Sequence, residues 1–221
     1  MKVASGVPVL STAPKDRVWS RPTVQYEGIT DSTHVSNFEW TPPTALARGL
    51  EFAQITGGLA QNYAQGSLKL GVAAFNGATA AGTLYAGVHD LIHAQNNLDR
   101  LAGVASLALA ADAGLSGAAS LSGPGALTQS ALGATKVLGT VYGVSDMILG
   151  CHDFVQGRKY HDKNYAAAGL FQAAMGAAVV ASVACPQFSP ISDVVLFGAL
   201  LGRHLSFERE LFHRRQVAAT T

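Results

Sequence analysis

A run of small and apolar residues between Leu68 and Ala184 constrains the fold of this chain more than any other feature. Small side chains recur in it at four-residue spacing, which on an α-helix places them in a row along one face. Such a row lets a second helix backbone approach closely. The two clearest rows, which we expect to be helix contacts, are Ala74, Ala78, Gly82 and Ala86, and then Ala131, Thr135, Gly139 and Gly143. The pattern predicts an all-α bundle of the glycine-zipper kind.

The run is also an approximate internal repeat, with copies over about 68–121 and 126–185. Gly77-Ala78-Thr79 recurs as Gly133-Ala134-Thr135, and Gly82-Thr83-Leu84-Tyr85 recurs as Gly139-Thr140-Val141-Tyr142. In each copy a polar connector, at 93–100 or 152–164, separates two Ala-rich segments. Since one such unit seldom buries its apolar face alone, the sequence predicts two helical hairpins packed together. Chance similarity between Ala/Gly-rich segments is the alternative.

The remaining segments flank these hairpins. Residues 1–43 are rich in Ser, Thr, Pro and Val, lack a helical period, and are expected to form a disordered arm with short extended pieces near 22–26 and 35–40. Thr44 is a suitable N-cap for a leading helix over about 45–65. The predicted bundle spans 44–216, with apolar segments near 68–93, 100–121, 126–151 and 165–185, an amphipathic C-terminal helix over 193–216 and a tail over 217–221.

Charge is sparse along the chain. The net charge is +1 and charged residues make up 13%, about half the usual share, which is unusual for a bundle that faces water. Because there is no basic stripe, nucleic acid is not an expected partner. A membrane surface, a helical protein partner or a second copy of the chain fits the composition better. No apolar stretch follows Met1-Lys2, so a cleaved signal peptide is not expected.

The residues that suggest chemistry are few. His89 and His93 are spaced as two zinc ligands on one helical face, although Asp90 stands where a metalloprotease would carry its glutamate. The alternative is that both histidines cap the polar end of a hairpin, and we expect no bound metal. His-Asp pairs at 152–153 and 161–162 resemble those of all-helical metal-dependent phosphohydrolases, a third possible class. No catalytic residue or cofactor is predicted.

Two further groups of charged residues attract functional interpretations. Asp90 and Asp146 hold equivalent repeat positions, and we expect both at polar helix ends, with a proton or ion path as the alternative. The C-terminal helix carries basic residues that fit contact with an anionic membrane surface, or an ordinary exposed helix end. These residues are Arg203, Arg209, Arg214 and Arg215. The two cysteines, Cys151 and Cys185, are expected to be buried thiols.

The repeated Gly-Thr-x-Tyr segments at 82–85 and 139–142, each followed by a polar turn and an Ala/Gly helix, resemble the glycine-rich helical hairpins of some secreted bacterial effectors. The arm over 1–43 is similar to the secretion segments of type III effectors. This resemblance implies a virulence protein that is secreted into a host cell and associates with membranes there. Arg158 and Asp162 keep the Arg-x3-Asp spacing of the Tim17/Tim22/Tim23 translocase family, although the first copy lacks the equivalent arginine. That second resemblance implies four glycine-packed membrane spans.

The sequence therefore favours a non-enzymatic, effector-like protein that associates with membranes or a protein partner through small-residue helical faces. An integral four-helix membrane protein of translocase or channel type is the alternative, and a metal-dependent helical hydrolase comes third. Asp112 argues against spanning, because it lies about eleven residues into the second apolar segment and would reach the middle of a bilayer. We expect Asp112 to face outward into water.

Overall fold

The computed structural model of the chain describes residues 23–29, 35–122 and 125–220. Six helices follow two short strands in the described residues, and a 3-10 turn at Pro186–Phe188 separates the last two helices. The elements are β1 (Thr23–Ile29), β2 (Val35–Thr41), α1 (Ala45–Tyr63), α2 (Ser67–Ile92), α3 (Asn97–Leu121), α4 (Ala126–Lys159), α5 (Lys163–Ala184) and α6 (Ser189–Thr220). The predicted all-α bundle, with a leading helix, two hairpins and a C-terminal helix, is confirmed.

Side-chain caps set several helix starts. The Thr44 hydroxyl accepts a hydrogen bond from the Ala47 amide at 3.2 Å, as the sequence predicts. Asp162 caps α5 in the same way, accepting from the Tyr165 amide at 2.8 Å. The polar connector expected over 152–164 is shorter than predicted, because α4 continues to Lys159 and the chain reverses at His161, whose φ of 58° is left-handed. No Gly-Pro breaker occurs between 152 and 159, so the helix has no local reason to end earlier.

Consecutive helices are neighbours in the bundle. From α2 to α6 each helix packs against the next, which gives a row of five, and α1 touches α2, α3 and α6. The row therefore curves around α1. The contacts of α1 are both apolar and polar. Ile55 is buried in an apolar cluster with residues of α5 and α6. The Gln54 side-chain amide donates to the Leu109 carbonyl at 2.6 Å, and that of Gln61 donates to the Ser116 carbonyl at 2.7 Å.

Glycines bring α4 and α5 into direct backbone contact. A Cβ atom added to Gly143 would lie 2.8 Å from the Gly176 carbonyl oxygen, and one added to Gly150 would lie 2.3 Å from the Ala173 nitrogen. Gly157 meets Ala166 in the same way, so the contact row on α4 repeats every seven residues. A seven-residue repeat stays on one side of a helix and supports a long contact between two helices.

The expected four-residue rows are only partly used. Gly139 lies against Val183 of α5, with 3.4 Å to an added Cβ, while Thr135 is half-buried. On α2, Gly82 meets Leu50 of α1 and Ala86 is buried.

Ala78, and Ala74 before it, are exposed, so the expectation of a helix contact at Ala78 is corrected. Four residues advance about 40° beyond one full turn, and a row at this spacing therefore winds around the helix from the exposed side to the buried side.

The end of the predicted arm is ordered and docked. β1 and β2 pair antiparallel, with Val24 opposite Trp40, and these strands match the extended pieces that the sequence suggests. The Trp40 side chain is 1% exposed and packs between α5 and α6, with ring centroids 5.0 Å from Tyr165 and 6.1 Å from Phe207. Its indole nitrogen donates to the Asp162 carboxylate at 2.7 Å. Residues 1–22 and 30–34 of the arm lie outside the described residues.

Candidate functional site

An ion-paired cluster occupies the centre of the bundle. Arg203 of α6 is 1% exposed and forms an ion pair with Glu51 of α1. A second carboxylate, Asp146 of α4, is also buried. Arg203 therefore does not reach a membrane surface, and that prediction is corrected. Leu200 and Phe207, which flank Arg203 at three- and four-residue spacing, are both fully buried, and they place the arginine on the inward face of α6.

Asp146 is held from one side only. The Gln172 amide donates to one Asp146 carboxylate oxygen at 2.9 Å, while the other oxygen has no hydrogen-bond partner in the part of the chain that the structure describes. Burial raises the pKa of Asp146 to about 6, against the opposing attraction of Arg203. The neighbouring Tyr142 side chain lowers this pKa, although its hydroxyl does not form a hydrogen bond of ordinary geometry with the carboxylate. Asp146 was expected at a polar helix end and instead lies near the middle of α4.

A small cavity lies beside this cluster. Its volume is about 40 Å³, and all six helices contribute a polar lining residue: Glu51, Thr83, Ser106, Asp146, Gln172 and Arg203. The Thr83 hydroxyl also lacks a hydrogen-bond partner among the described residues. A cavity of this size has room for roughly one to three water molecules. No local sequence pattern predicts this cavity, because its lining is assembled from positions far apart in the chain.

A larger open groove adjoins the cavity. Its volume is about 570 Å³; residues of α1, α3, α4 and α5 form most of its lining, and α2 and α6 contribute two residues each. Tyr142 and Leu109 line both spaces and separate them. Asp112 lines the groove, and burial raises its pKa to about 6. The expectation that Asp112 faces outward is therefore corrected.

The histidine motifs do not assemble a metal centre in the described part of the chain. The rings of His89 and His93 are stacked with centroids 4.2 Å apart, and His93 is exposed. No group of three or more His, Cys, Asp or Glu side chains with metal-binding proximity occurs among the described residues. Asp90 is buried near the end of α2, where the sequence places it, with the His89 ring nitrogen 3.8 Å from its carboxylate.

The two His-Asp pairs belong to the structural contacts of α5. Asp153 is buried and accepts a hydrogen bond from the Tyr165 hydroxyl at 2.6 Å, and the His152 ring lies 3.0 Å from the same oxygen. Asp162 caps α5 and binds Trp40. These contacts give both carboxylates a role in positioning α5 and the docked arm.

The remaining arginines of α6 differ in availability. Arg209 and Arg215 are exposed. Arg214 is half-buried, donates to Glu210 at 2.9 Å and also donates to the Trp40 carbonyl. The expectation of membrane contact at Arg214 is therefore corrected, because this side chain holds the docked arm.

Large apolar side chains are exposed on all six helices and are most numerous on three of them, and we call these surfaces the apolar faces of α2, α4 and α6. Their exposure is high, reaching 64% for Val137 and 73% for Val194. On α2 they are Leu70, Phe75, Leu84, Tyr85 and Val88; on α4, Val137, Val141, Val144, Met147, Ile148 and Val155; on α6, Ile191, Val194, Val195, Phe197, Leu201 and Leu205. Cys151 is exposed on α4 as well, which corrects the prediction of two buried thiols.

One end of the bundle is basic. The α2–α3 and α4–α5 turns and the C-terminal half of α6 all lie at this end, because consecutive helices run antiparallel. We call it the basic end, and its exposed cations are Arg100, Arg158, Lys159, Lys163, Arg209 and Arg215. Two of the described helices, α3 and α5, are long and apolar enough to cross a membrane by length and composition alone.

Comparison of the chain with protein families, curated proteins and solved structures finds no match. Any function assigned to the chain therefore depends on the geometry above.

Proposed function

We propose that this protein is non-enzymatic and binds lipid membranes through its apolar faces, with the basic end at the anionic headgroups. The distribution of side chains supports this proposal. Large apolar groups are exposed on α2, α4 and α6, whereas Asp146 and Arg203 are buried at the centre and Glu51 beside them is half-buried. A soluble monomer rarely exposes so many neighbouring apolar side chains, and extended patches of this kind mark contact with a membrane or a partner.

The positive charge at the basic end favours a membrane over an apolar protein partner. Exposed cations at the basic end, such as Arg158 and Lys163, lie beside the ends of the apolar faces. Each Lys or Arg near an anionic membrane surface contributes about 1 kcal/mol of attraction, which falls within a Debye length. In the setting of a secreted effector, which rests on the resemblance of the hairpins, the target is a host membrane.

An integral protein of translocase or channel type is the second candidate, and the position of Asp112 removes the main objection to it. A carboxylate at the bilayer centre opposes insertion when it faces lipid, but Asp112 lines the groove. The α3 and α5 helices are also long and apolar enough to span. The two candidates differ in whether the hairpins cross the bilayer or lie at its surface.

Flotation with lipid vesicles tests the proposal. The purified chain is mixed with vesicles of neutral phosphatidylcholine, or of phosphatidylcholine with one third phosphatidylserine, and the bound fraction is measured after flotation. We expect the chain to bind both vesicle types, with a larger bound fraction on the anionic vesicles. High salt should remove this additional binding to the anionic vesicles and leave the binding to neutral vesicles unchanged. Removal by a subsequent carbonate wash indicates surface binding, and resistance to it indicates integral insertion. A chain that stays unbound with both vesicle types would refute the proposal.

Matched variants separate the apolar faces from the basic end. Ile148→Glu places a charge on the apolar face of α4, and Gln129→Glu places the same charge at an exposed position away from the named apolar residues. We expect Ile148→Glu to lose most of its binding to neutral vesicles and Gln129→Glu to keep it. Arg158→Glu should reduce only the anionic excess. Equal binding by all three variants would mean that the named surfaces do not touch the membrane.

A further inference from the structure

The open groove between α1, α3, α4 and α5 has the size and lining of a small-molecule site. Its volume of about 570 Å³ falls within the range of about 300–1,000 Å³ that ligand pockets occupy. The walls are mainly apolar and come from four helices: Ile55, Leu59, Leu109, Leu132, Val179 and Val183. Such walls accept the apolar body of a ligand, whose orientation is then set by the few polar groups among them.

Two of those polar groups are hydrogen-bond acceptors. Asp112 lines the groove and makes no ion pair or hydrogen bond with the described residues. Gln54 is 1% exposed; its amide nitrogen donates to the Leu109 carbonyl at 2.6 Å, while its amide oxygen has no partner among the described residues. A carboxylate only accepts hydrogen bonds, and so does an amide oxygen. The complementary ligand must bring N–H donors, and a positive charge on them would pair with Asp112.

The lysines of the groove do not reverse this preference. Lys69 and Lys136 line the groove but are exposed, so water already solvates their ammonium groups. An anion bound at Lys136 would leave the Gln54 oxygen without a donor and would add a second negative charge to the space that Asp112 lines. Both effects disfavour a carboxylate ligand.

We infer that this groove binds a small molecule that carries a primary ammonium group on an apolar body, with the ammonium at Asp112 and Gln54. An ammonium supplies three donors, enough for the carboxylate and the amide oxygen together. The apolar body lies along the walls formed by α4 and α5. The site is separate from the apolar faces of α2, α4 and α6, since none of the residues named for those faces lines the groove.

Calorimetric titration with three eight-carbon probes tests this inference. Octylamine, octan-1-ol and octanoate share the apolar chain and differ only in the head group. At pH 7.5 we expect octylamine to bind at one site per chain and at least about tenfold more tightly than octan-1-ol, the ratio expected when one charge-assisted hydrogen bond is added. Octanoate should bind more weakly than octan-1-ol. Tighter binding of octanoate, or no binding of octylamine, would overturn the inference.

Variants locate the site. Asp112→Asn keeps the shape of the side chain and should abolish the preference for octylamine over octan-1-ol, while continued binding of octan-1-ol shows that the groove is still folded. Lys136→Gln is the matched control and should keep the octylamine preference. Leu132→Trp fills the groove and should weaken the binding of both octylamine and octan-1-ol. Loss of the preference in Lys136→Gln but not in Asp112→Asn would refute the assignment to Asp112.

Discussion

Replacing Gly150 with alanine tests the backbone contact between α4 and α5. The added methyl group would lie 2.3 Å from the Ala173 nitrogen, 2.6 Å from the Gly169 carbonyl oxygen and 2.8 Å from the Ala173 Cα. These are backbone atoms, so no side chain can rotate away, and the two helices must separate locally by about 1 Å to restore ordinary contact. Neighbouring glycine contacts resist that movement, because Gly143 and Gly157 are close to α5 as well.

The expected loss of stability is the difference between two opposing effects. Overpacking of a well-packed interface costs about 1–3 kcal/mol, and at a backbone-to-backbone contact we expect the upper end of that range. Alanine has a better helix propensity than glycine by about 1 kcal/mol, which offsets part of the cost. The net result is a destabilisation of about 1–2 kcal/mol, which for a chain of this length lowers the melting temperature by about 2–8 °C.

Gly133→Ala is the matched control on the same helix. A Cβ atom at Gly133 meets nothing within 4 Å, so only the propensity effect remains and the melting temperature should rise slightly. Circular dichroism melting and urea unfolding of the three chains measure both shifts under one set of conditions. If Gly150→Ala melts at or above the Gly133→Ala temperature, α4 and α5 are not in close backbone contact and the reasoning fails.

Three further changes have defined outcomes. Trp40→Ala should cost about 3–5 kcal/mol in urea unfolding, because a fully buried indole is removed; Trp40→Phe, which keeps a ring but loses the bond to Asp162, should cost less. Burial raises the pKa of Asp146 from 3.8 to about 6, so the stability that Asp146 contributes is full below pH 4 and is lost as the pH rises through 6. Asp146→Asn should therefore flatten the fall in urea midpoint between pH 4 and pH 7.5, and an unchanged slope would contradict the assignment. Cys151 is exposed and Cys185 is half-buried, so a thiol reagent should modify Cys151 first, as peptide mass mapping would show; faster modification of Cys185 would place α4 differently.

The sequence predicted the helices well because their signals are local. Small-residue periodicity, the Thr44 cap and the breaks near residues 122–125 depend on a few neighbouring positions, and the structure has helices where these signals place them. The start of α5 was not located as well, because the cap at Asp162 lies inside the connector that we predicted over 152–164.

The faces of the helices were harder to predict. Four-residue spacing predicts a helix contact at Ala78, which is exposed. It does not include Gly150 and Gly157, which belong to a row with seven-residue spacing. In an Ala/Gly-rich helix every face carries small residues, so composition alone does not identify the contact face. The seven-residue spacing of Gly143, Gly150 and Gly157 was readable in the sequence and would have located the interface.

The buried cluster was not predictable from local pattern. Arg203 stands in a helix with several exposed cations, and its burial depends on Glu51, which is 152 residues away in the chain. Pairing at that distance requires the curvature of the helix row around α1. Tertiary arrangement therefore decides which arginines are structural and which remain available at the surface.

Several of the contacts that hold this bundle together do not depend on the hydrophobic effect. Within the row, Gly143 and Gly150 let α4 and α5 meet backbone to backbone, and α1 is held by the Glu51–Arg203 ion pair and by the Gln54 bond to the Leu109 carbonyl. In a bilayer the hydrophobic effect no longer drives helices together, whereas close packing of small residues and interhelical polar contacts still do. The bundle would therefore keep its internal contacts while its apolar faces exchange water for lipid, with no need to repack its centre.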